Sequence, residues 1–403
     1  MSTLLADRLS PVKPSPSIAA KARVDALRGE GRTIIDFTIG EPDFPTPQHI
    51  VEGGIQALKE GHTRYTATAG TPALRAAIAR KLERENRLAF RPEEIVVGCG
   101  AKHIIYNAFA ATLNDDDEVI VPAPYWVSYP DMVALHGGKP VVVPCSAEDG
   151  FKLSAASLAA AITPRTRWLI LNTPGNPTGA VYTRREFEAL CAVLRQHHHV
   201  WILTDEIYEH FVYGDARHLS PLNVAADLRV RALVVNGLSK AYAFTGWRIG
   251  YGAGPAALIK AIHLLLTQST TCASAVSQAA AAVALDGPQD CVAESVGIFQ
   301  ARRDRMVQLL RAIPGITCQQ PDGAFYVFPS VAGLLGRTTP QGKLLSSDID
   351  VTAYFLEHAG VATVDGTSYG APSFLRMSFA TSMDQIEAGC AALFDAAARC
   401  TAS

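Results

Sequence analysis

Short apolar runs and longer runs with helical spacing alternate along most of the chain. The apolar runs predict strands at 94–98, 118–122, 140–144, 168–172, 200–204 and 232–236. Runs in which apolar residues recur with the helical period predict helices at 18–29, 73–85, 101–113 and 184–195. Alternation of this kind is typical of an α/β fold with a mostly parallel sheet.

The elements are grouped differently at the end of the chain. After Pro288 the pattern predicts a long helix at 289–312, strands at 324–328 and 373–378, and further helices at 351–358 and 383–399. This grouping favours a second, smaller α+β domain. We therefore predict three parts. Residues 1–45 form an N-terminal arm that joins the small domain, residues 46–290 form a large domain, and residues 291–403 form the small C-terminal domain.

Composition and charge narrow the class of protein. The chain has 403 residues, of which 48% are hydrophobic and 18% charged, so a large core is possible and a disordered chain is excluded. The formal net charge is −2, which argues against a general nucleic-acid binder.

Targeting and metal signals are weak. Residues 1–17 lack the apolar core of a signal peptide, and polar residues interrupt the most apolar stretch, 262–284, so we expect no membrane span. The eight cysteines form no C-x-x-C pair, which favours a reducing, cytoplasmic setting. No metal is expected at His197-His198-His199, because consecutive residues do not share a helix face.

Chemically useful groups follow four of the predicted strands. Gly98-Cys99-Gly100 follows one strand, and Asn176, Asp205 and Lys240 follow three others. In an open α/β sheet, ligands bind beyond the carboxyl ends of the strands. We therefore expect these groups to converge on one site.

The glycine turn at 98–100 allows three interpretations. A turn that opens a helix can bind phosphate through free N–H groups and the helix dipole. A dinucleotide fingerprint would need a third glycine where His103 stands. An ordinary tight turn would bind nothing.

Lys240 is the candidate nucleophile. It follows an apolar strand, and an amine held among apolar walls and near cations is suited to forming a Schiff base. Arg248 lies in the same loop and could bind a phosphate through two parallel N–H groups of its guanidinium. The alternative for Lys240 is a lysine that only snorkels from the strand end.

Asp205 ends a predicted buried strand and needs a cation or donors there. A pyridinium N–H is such a partner, and the ion pair would keep the ring protonated. The alternative is a helix N-cap. Tyr208 would share the face of Asp205 on a helical turn, where its phenol could reach a ring oxygen or simply lie in the core.

Six motifs, in order, resemble those of fold-type I pyridoxal-phosphate aminotransferases. The lysine signature is 237–250, and the other motifs are Asn176-Pro177-Thr178-Gly179, Asp205-Glu206-Ile207-Tyr208, 124–130, 40–44 and 323–326. The likeness runs from about residue 13 to the C-terminus and is greatest to the bacterial aspartate aminotransferase subgroup Ib. The resemblance implies a large domain with a mostly parallel, seven-stranded sheet.

The resemblance also implies how pyridoxal 5'-phosphate would be held. Lys240 would bind it covalently and later move a proton, Asp205 would pair with the ring nitrogen, and Tyr208 and Asn176 would hold the phenolic oxygen. Trp126 would stack on the ring. The phosphate would be surrounded by Gly100, Ala101, Lys102, Ser239 and Arg248, with Tyr65 reaching it from a second subunit. Lys240, Asp205 and Tyr208 would form the catalytic set.

The substrate side is implied in the same way. The α-carboxylate would bind at Gly40, Asn176 and Arg376, next to Trp126, and Lys102 would face the distal carboxylate of a dicarboxylic substrate. The implied activity is transamination of an L-amino acid of the aspartate type, with 2-oxoglutarate as the expected acceptor, in a cytoplasmic homodimer.

Other functions remain open at this point. The same scaffold could act on aromatic donors or prephenate, catalyse β-elimination, or serve as a regulatory module that binds the cofactor without turnover. The sequence departs from the family pattern at Cys272-Ala273 and Asp365-Gly366, near the expected substrate pocket. These departures leave the preferred donor undecided.

Overall fold

The computed structural model describes residues 4–12, 14 and 16–402. Within them the α-helices are α1 (Pro16–Gly29), α2 (Gln48–Lys59), α3 (Pro72–Asn86), α4 (Ala101–Thr112), α5 (Ser128–Leu135), α6 (Ala155–Ala161), α7 (Arg184–Gln196), α8 (Ala256–Gln268), α9 (Ala275–Asp286), α10 (Asp290–Arg311), α11 (Asp348–Tyr354) and α12 (Met383–Ala398). The strands are β1 (Ile35–Asp36), β2 (Ile95–Gly98), β3 (Glu118–Ala123), β4 (Lys139–Pro144), β5 (Thr166–Asn172), β6 (Trp201–Asp205), β7 (Ala232–Gly237), β8 (Gly250–Ala253), β9 (Tyr326–Val327), β10 (Arg337–Thr338), β11 (Val361–Ala362), β12 (Val364–Asp365), β13 (Leu375–Ser378) and β14 (Thr401–Ala402).

Seven strands form the central sheet, in the order β2-β8-β7-β6-β5-β3-β4. All neighbours are parallel except those of β8, which runs antiparallel to β2 and β7. The predicted α/β fold with a mostly parallel sheet is thereby confirmed. The register pairs Asn172 of β5 with Asp205 of β6, so their polar ends lie at the same sheet edge.

Helices cover both faces of this sheet because alternate strand residues point to opposite sides. In β6, Ile202 belongs to one apolar cluster with residues of α3, α7 and α9, and Leu203 belongs to a second cluster with residues of α4 and α8. Strands buried on both faces are apolar throughout, and this is why they were recognisable in the sequence.

A third apolar cluster lies around α10, α12 and the antiparallel strands β12-β13-β9. The segment that follows α1 joins this part of the molecule, since β1 pairs in parallel with β11 and Phe37 lies in the same cluster. The domain boundaries at residues 45 and 290 stay a prediction.

Several elements differ from the sequence-based expectation. The helices α2, α5, α6, α8 and α9 and the strand β8 were not predicted, and the predicted helix over 351–358 is α11 continued by a π-helical turn at Phe355–Ala359. The apolar stretch 262–284 is the end of α8 and most of α9. Among the described residues, no helix is both long and apolar enough to span a membrane. Residues 1–3, 13 and 15 of the predicted arm lie outside the described residues.

Candidate active site

A cavity of about 670 Å³ opens where the carboxyl ends of β5, β6 and β7 meet the amino end of α4. Eleven of the predicted site residues line it: Gly40, Ala101, Lys102, Trp126, Asn176, Asp205, Tyr208, Ser239, Lys240, Arg248 and Arg376. The convergence expected from the strand ends is therefore present in the structure. Gly100, which directly precedes the lining residue Ala101, is not itself part of the cavity lining, and Tyr65 also lies outside the lining and is 87% exposed.

The amine of Lys240 lies in the cavity beside the backbone of Gly40. Its Nζ donates a hydrogen bond to the carbonyl oxygen of Gly40 at 2.6 Å and lies over the rings of Tyr208 and Phe325. Burial lowers the pKa of the Lys240 amine to about 8, with Glu41 opposing this shift and the nearby guanidinium groups adding to it. A lowered amine pKa increases the unprotonated, nucleophilic fraction near neutral pH.

Asp205 is a buried carboxylate at the end of β6. Its Oδ2 accepts a hydrogen bond from Tyr129 Oη at 2.7 Å, and its Oδ1 accepts one from the backbone N–H of Ile207 at 3.3 Å. Within the described part of the chain, no cationic side chain forms an ion pair with it. Burial raises the pKa of Asp205 to about 6, and these two hydrogen bonds oppose the rise.

Tyr208 reaches the cavity differently from the prediction. The residues after Asp205 form a turn and no α-helix, so the proposed shared helix face does not exist and Asp205 caps no helix. The phenol of Tyr208 lies 3.0 Å from that of Tyr326, deep in the cavity wall. The turn bends the chain tightly enough to bring both side chains to the same cavity.

Arg376 is a buried guanidinium on β13, 3% exposed. Its Nη2 donates to the carbonyl oxygen of Thr38 at 2.6 Å, and its Nη1 lies 3.4 Å from Asn176 Oδ1. The guanidinium stands over the ring of Tyr326 at 4.6 Å. A planar, fixed guanidinium of this kind suits a carboxylate.

The glycine turn is built for a close approach to an anion. Gly100 has a φ of +90° and precedes α4, and a Cβ there would lie 2.5 Å from Arg248 Nη2. The guanidinium of Arg248 donates to the carbonyl oxygens of Cys99 and Thr245. Free N–H groups in the first turn of α4, the helix dipole and Arg248 together supply positive charge at one place.

Lys102 lies beside this turn and faces the cavity. Its Nζ donates to Ser128 Oγ at 3.1 Å and lies 4.6 Å from the centre of the Trp126 ring. Burial and the nearby Arg248 lower the pKa of Lys102. No described carboxylate forms a salt bridge with its ammonium group, so a carboxylate of a ligand could do so.

Sequence reasoning assigned no role to several further polar residues that line the cavity, among them Thr38, Tyr129, Asn172 and Tyr326. Asn172 ends β5, and its Oδ1 accepts a hydrogen bond from the N–H of Asn176 at 2.8 Å. Its position after a buried strand was a signal that could have identified it. Tyr129 lies within a quoted motif, but nothing in that motif indicates which residue its hydroxyl contacts.

The donor set fits pyridoxal phosphate. A phosphate fits the glycine turn and Arg248, and a protonated ring nitrogen fits the carboxylate of Asp205, which has no cationic partner among the described residues. The amine of Lys240 is placed in the same cavity. A carboxylate left buried without a cation is costly, so a cationic N–H from a ligand would stabilise this arrangement.

Fold and cavity define a class of enzyme that handles carboxylate substrates with a phosphate-bearing cofactor. Residues 32–393 match the family aminotransferase class I and II. The chain belongs to this family, whose members use pyridoxal phosphate. The predicted family and the predicted aminotransferase class are confirmed.

Individual relatives are similar over nearly the full length. A probable aspartate/prephenate aminotransferase of Rhizobium leguminosarum bv. phaseoli is 50% identical over 386 residues, 96% of each chain. The aspartate aminotransferase structure from Rhizobium meliloti superposes with a TM-score of 0.97 at 47% identity, covering 99% of this chain and 100% of that one. The aspartate aminotransferase from Thermus thermophilus with maleate gives a TM-score of 0.91 at 39% identity, covering 98% and 100%.

Proposed function

We propose that this protein transfers the amino group of aspartate to a 2-oxo acid, with 2-oxoglutarate as the expected acceptor and pyridoxal phosphate as the cofactor. The observation that carries the proposal is the meeting of Lys240, Asp205 and Arg376 in one cavity. The names of the relatives support aspartate as the donor.

Each of these residues has a distinct task. When bound, pyridoxal phosphate supplies a protonated ring that accepts the electrons released at the substrate Cα. Asp205 holds the proton on the ring nitrogen through its carboxylate. Lys240 Nζ would hold the cofactor and would move the proton of the substrate Cα. Trp126 would cover one face of the ring and exclude water from it.

The remaining cofactor-binding residues are proposed to hold the ring oxygen and the phosphate of pyridoxal phosphate. Tyr208 and Asn176 hold the ring oxygen. The phosphate is held by Gly100, Ala101, Lys102, Ser239 and Arg248.

Two cations orient a dicarboxylic substrate. Arg376 binds the α-carboxylate beside Gly40 and Asn176, and Lys102, which lines the same cavity, binds the distal carboxylate. The Thermus relative was solved with maleate, a dicarboxylate. Relatives named aspartate/prephenate aminotransferase favour prephenate as a second substrate, because it also carries two carboxylates.

The direct test is a product assay on the purified protein with added pyridoxal phosphate. Aspartate with 2-oxoglutarate should yield oxaloacetate and glutamate in equal amounts. Release of ammonia in place of glutamate would instead favour elimination. Cofactor binding with no turnover on any donor would favour the regulatory module.

Lys102 provides the specificity prediction. Lys102→Met roughly keeps the side-chain length and removes the charge. The enzyme should then lose about 1.5–3 kcal/mol of transition-state stabilisation for aspartate, seen as a lower kcat/KM, while kcat/KM for phenylalanine changes little. Lys139→Met, which removes an exposed lysine paired with Asp116, is the matched control. Equal losses for both donors, with weaker cofactor retention, would assign Lys102 to the phosphate alone and remove it from the substrate site.

We further propose a cytoplasmic homodimer. Tyr65 is exposed and outside the cavity of its own chain, as expected if it reaches the phosphate of a second subunit. All eight cysteines are free thiols, which supports a reducing compartment.

A further inference from the structure

Tyr129 contacts both groups that would enclose the cofactor ring. Its hydroxyl donates to Asp205 Oδ2 at 2.7 Å, and its ring meets Trp126 edge-on with centroids 5.2 Å apart. The side chain is 2% exposed and lies at the start of α5. The backbone N–H of Tyr129 also donates to the carbonyl oxygen of Trp126 at 3.0 Å, which fixes the two residues relative to each other.

A hydrogen bond to a buried carboxylate stabilises the ionised form more than the protonated form. The phenol of Tyr129 stays neutral, because burial and the Asp205 carboxylate raise its pKa well above the ordinary value. It is therefore a permanent donor. In a pair between Asp205 and a ring nitrogen, a donor on the carboxylate favours the proton on nitrogen.

The other charged and titratable neighbours do not replace this contact. Glu206, on the same turn, disfavours a negative charge on Asp205, and the buried phenol of Tyr208 stays neutral because its pKa is raised well above the ordinary value. Lys240 favours the negative charge only through its own charge, without a hydrogen bond to Asp205. The N–H of Ile207 occupies the other oxygen. Tyr129 is thus the one described side chain that donates directly to this carboxylate.

We propose that Tyr129 is a positioning residue that keeps the cofactor ring protonated by holding Asp205 ionised and in a fixed orientation. The inference rests on the proposed function, since it needs pyridoxal phosphate in the cavity. It assigns to a tyrosine on α5 a share of the task that Asp205 performs alone in the simpler account.

The test reads the ring nitrogen directly. The wild-type protein and Tyr129→Phe are each loaded with pyridoxal phosphate labelled with ¹⁵N in the ring, and the ¹⁵N resonance is recorded at neutral pH. The wild-type resonance should lie at the protonated position, and that of Tyr129→Phe should move towards the unprotonated position. The kcat for aspartate should fall roughly 10- to 100-fold, as expected for loss of a hydrogen bond to a charged group, with KM little changed.

Further variants separate this role from simple support of the fold. Tyr182→Phe removes the hydroxyl of another buried tyrosine, which accepts a hydrogen bond from Leu153, and should leave the ¹⁵N resonance unchanged. If Tyr129→Phe does not fold, 4-aminophenylalanine at position 129, an isosteric but weaker donor, should give an intermediate resonance. Asp205→Ala gives the endpoint without a carboxylate.

Two negative results have different meanings. A loaded Tyr129→Phe protein, or a loaded 4-aminophenylalanine protein, with the wild-type ¹⁵N resonance would overturn the inference and leave the proposed function intact. A wild-type protein that does not bind pyridoxal phosphate would overturn the proposed function itself.

Discussion

The amine of Lys240 lies where water is scarce, between a backbone carbonyl and two aromatic rings. Its hydrogen bond to Gly40 and the rings of Tyr208 and Phe325 define its position without any carboxylate hydrogen-bonded to it. Burial makes the charged form of the amine less favourable and lowers its pKa to about 8, and the guanidinium groups of Arg376 and Arg248 add to this shift. A lysine in these surroundings is prepared to react with a carbonyl group.

This surrounding predicts how the apoprotein takes up pyridoxal phosphate. Because the pKa of Lys240 is about 8, half of the amine is free near pH 8, and the free fraction levels off about one to two pH units above that value. The rate of covalent loading should follow that curve, and borohydride reduction with peptide mapping should place the adduct on Lys240. An adduct on Lys102, or a rate that keeps rising to the ordinary lysine pKa near 10.4, would contradict the assignment.

A substitution of the nearby Glu41 provides a second test of the Lys240 pKa. Its carboxylate favours the charged amine, so Glu41→Gln should lower the pKa of Lys240 and move the loading curve to lower pH. The adduct should remain on Lys240.

At the scale of elements, the sequence predicted the strands better than the contacts between them. Buried strands are apolar throughout, and Asp205 and Lys240 stood out because each follows one. The helix α2 was missed because Gly53 and Gly54 at its centre disfavour a helix. The helices α8 and α9 were missed because apolar residues such as Leu264 and Val283 also occupy exposed positions, which blurs the helical period. Tyr129 could not be predicted as a partner of Asp205, since 76 residues separate them in the chain.

The turn after β6 depends on a buried charge network of this long-range kind. Glu209, on that turn, accepts hydrogen bonds from Lys81 of α3, from Asn86 and from Asn236. Lys81 is 1% exposed, so neither charge meets water. Nearby carboxylates and histidines could in principle hold a metal, but the ammonium group of Lys81 already pairs with Glu209.

Removing one charge from this pair should be costly. Lys81→Met leaves the Glu209 carboxylate buried without its cation, and the free energy of unfolding should fall by about 3–5 kcal/mol, measured by urea denaturation at pH 7. Arg80 lies next to Lys81 on α3 and forms an exposed ion pair with Asp286 of α9. Arg80→Met breaks that pair and should cost less than about 1 kcal/mol of unfolding free energy. Equal losses of unfolding free energy in the two variants would show that the buried Lys81–Glu209 pair contributes no more to stability than an exposed pair.

The same pair predicts a pH dependence of stability. The nearby Lys81 and histidines hold the pKa of Glu209 far below its usual value. A carboxylate whose pKa is depressed on folding contributes its full stabilisation above the unfolded pKa, about 4.3, and loses it as the pH falls below that value. The melting temperature of the wild type should therefore drop more steeply below about pH 4 than that of Lys81→Met/Glu209→Gln.

At the scale of the whole molecule, the candidate site is assembled from distant parts of one chain and, in our proposal, from a second chain. Arg376 reaches Thr38, and β1 pairs with β11. Such pairings depend on the full topology, which explains why the sequence predicted a joining arm but not its partners. Tyr65 does not line the cavity of its own chain, so we test its proposed role between subunits.

Hybrid dimers test that role. Lys240→Ala and Tyr65→Ala proteins should each have little activity at limiting cofactor, and a mixture refolded together should regain activity because one site of each hybrid has both native residues. The control mixture pairs Lys240→Ala with Lys102→Met, whose defects fall in separate sites of the hybrid and should not complement for aspartate. If Tyr65 acts in its own subunit, neither mixture will recover.

The contact between Arg376 and Thr38 also has a consequence for biosynthesis. The two residues lie 338 positions apart, and a ribosome makes Thr38 long before Arg376. In our proposal Arg376 binds the α-carboxylate, so the nascent chain lacks the guanidinium group for this task until β13 emerges. The ability to select a substrate is then completed only near the end of translation.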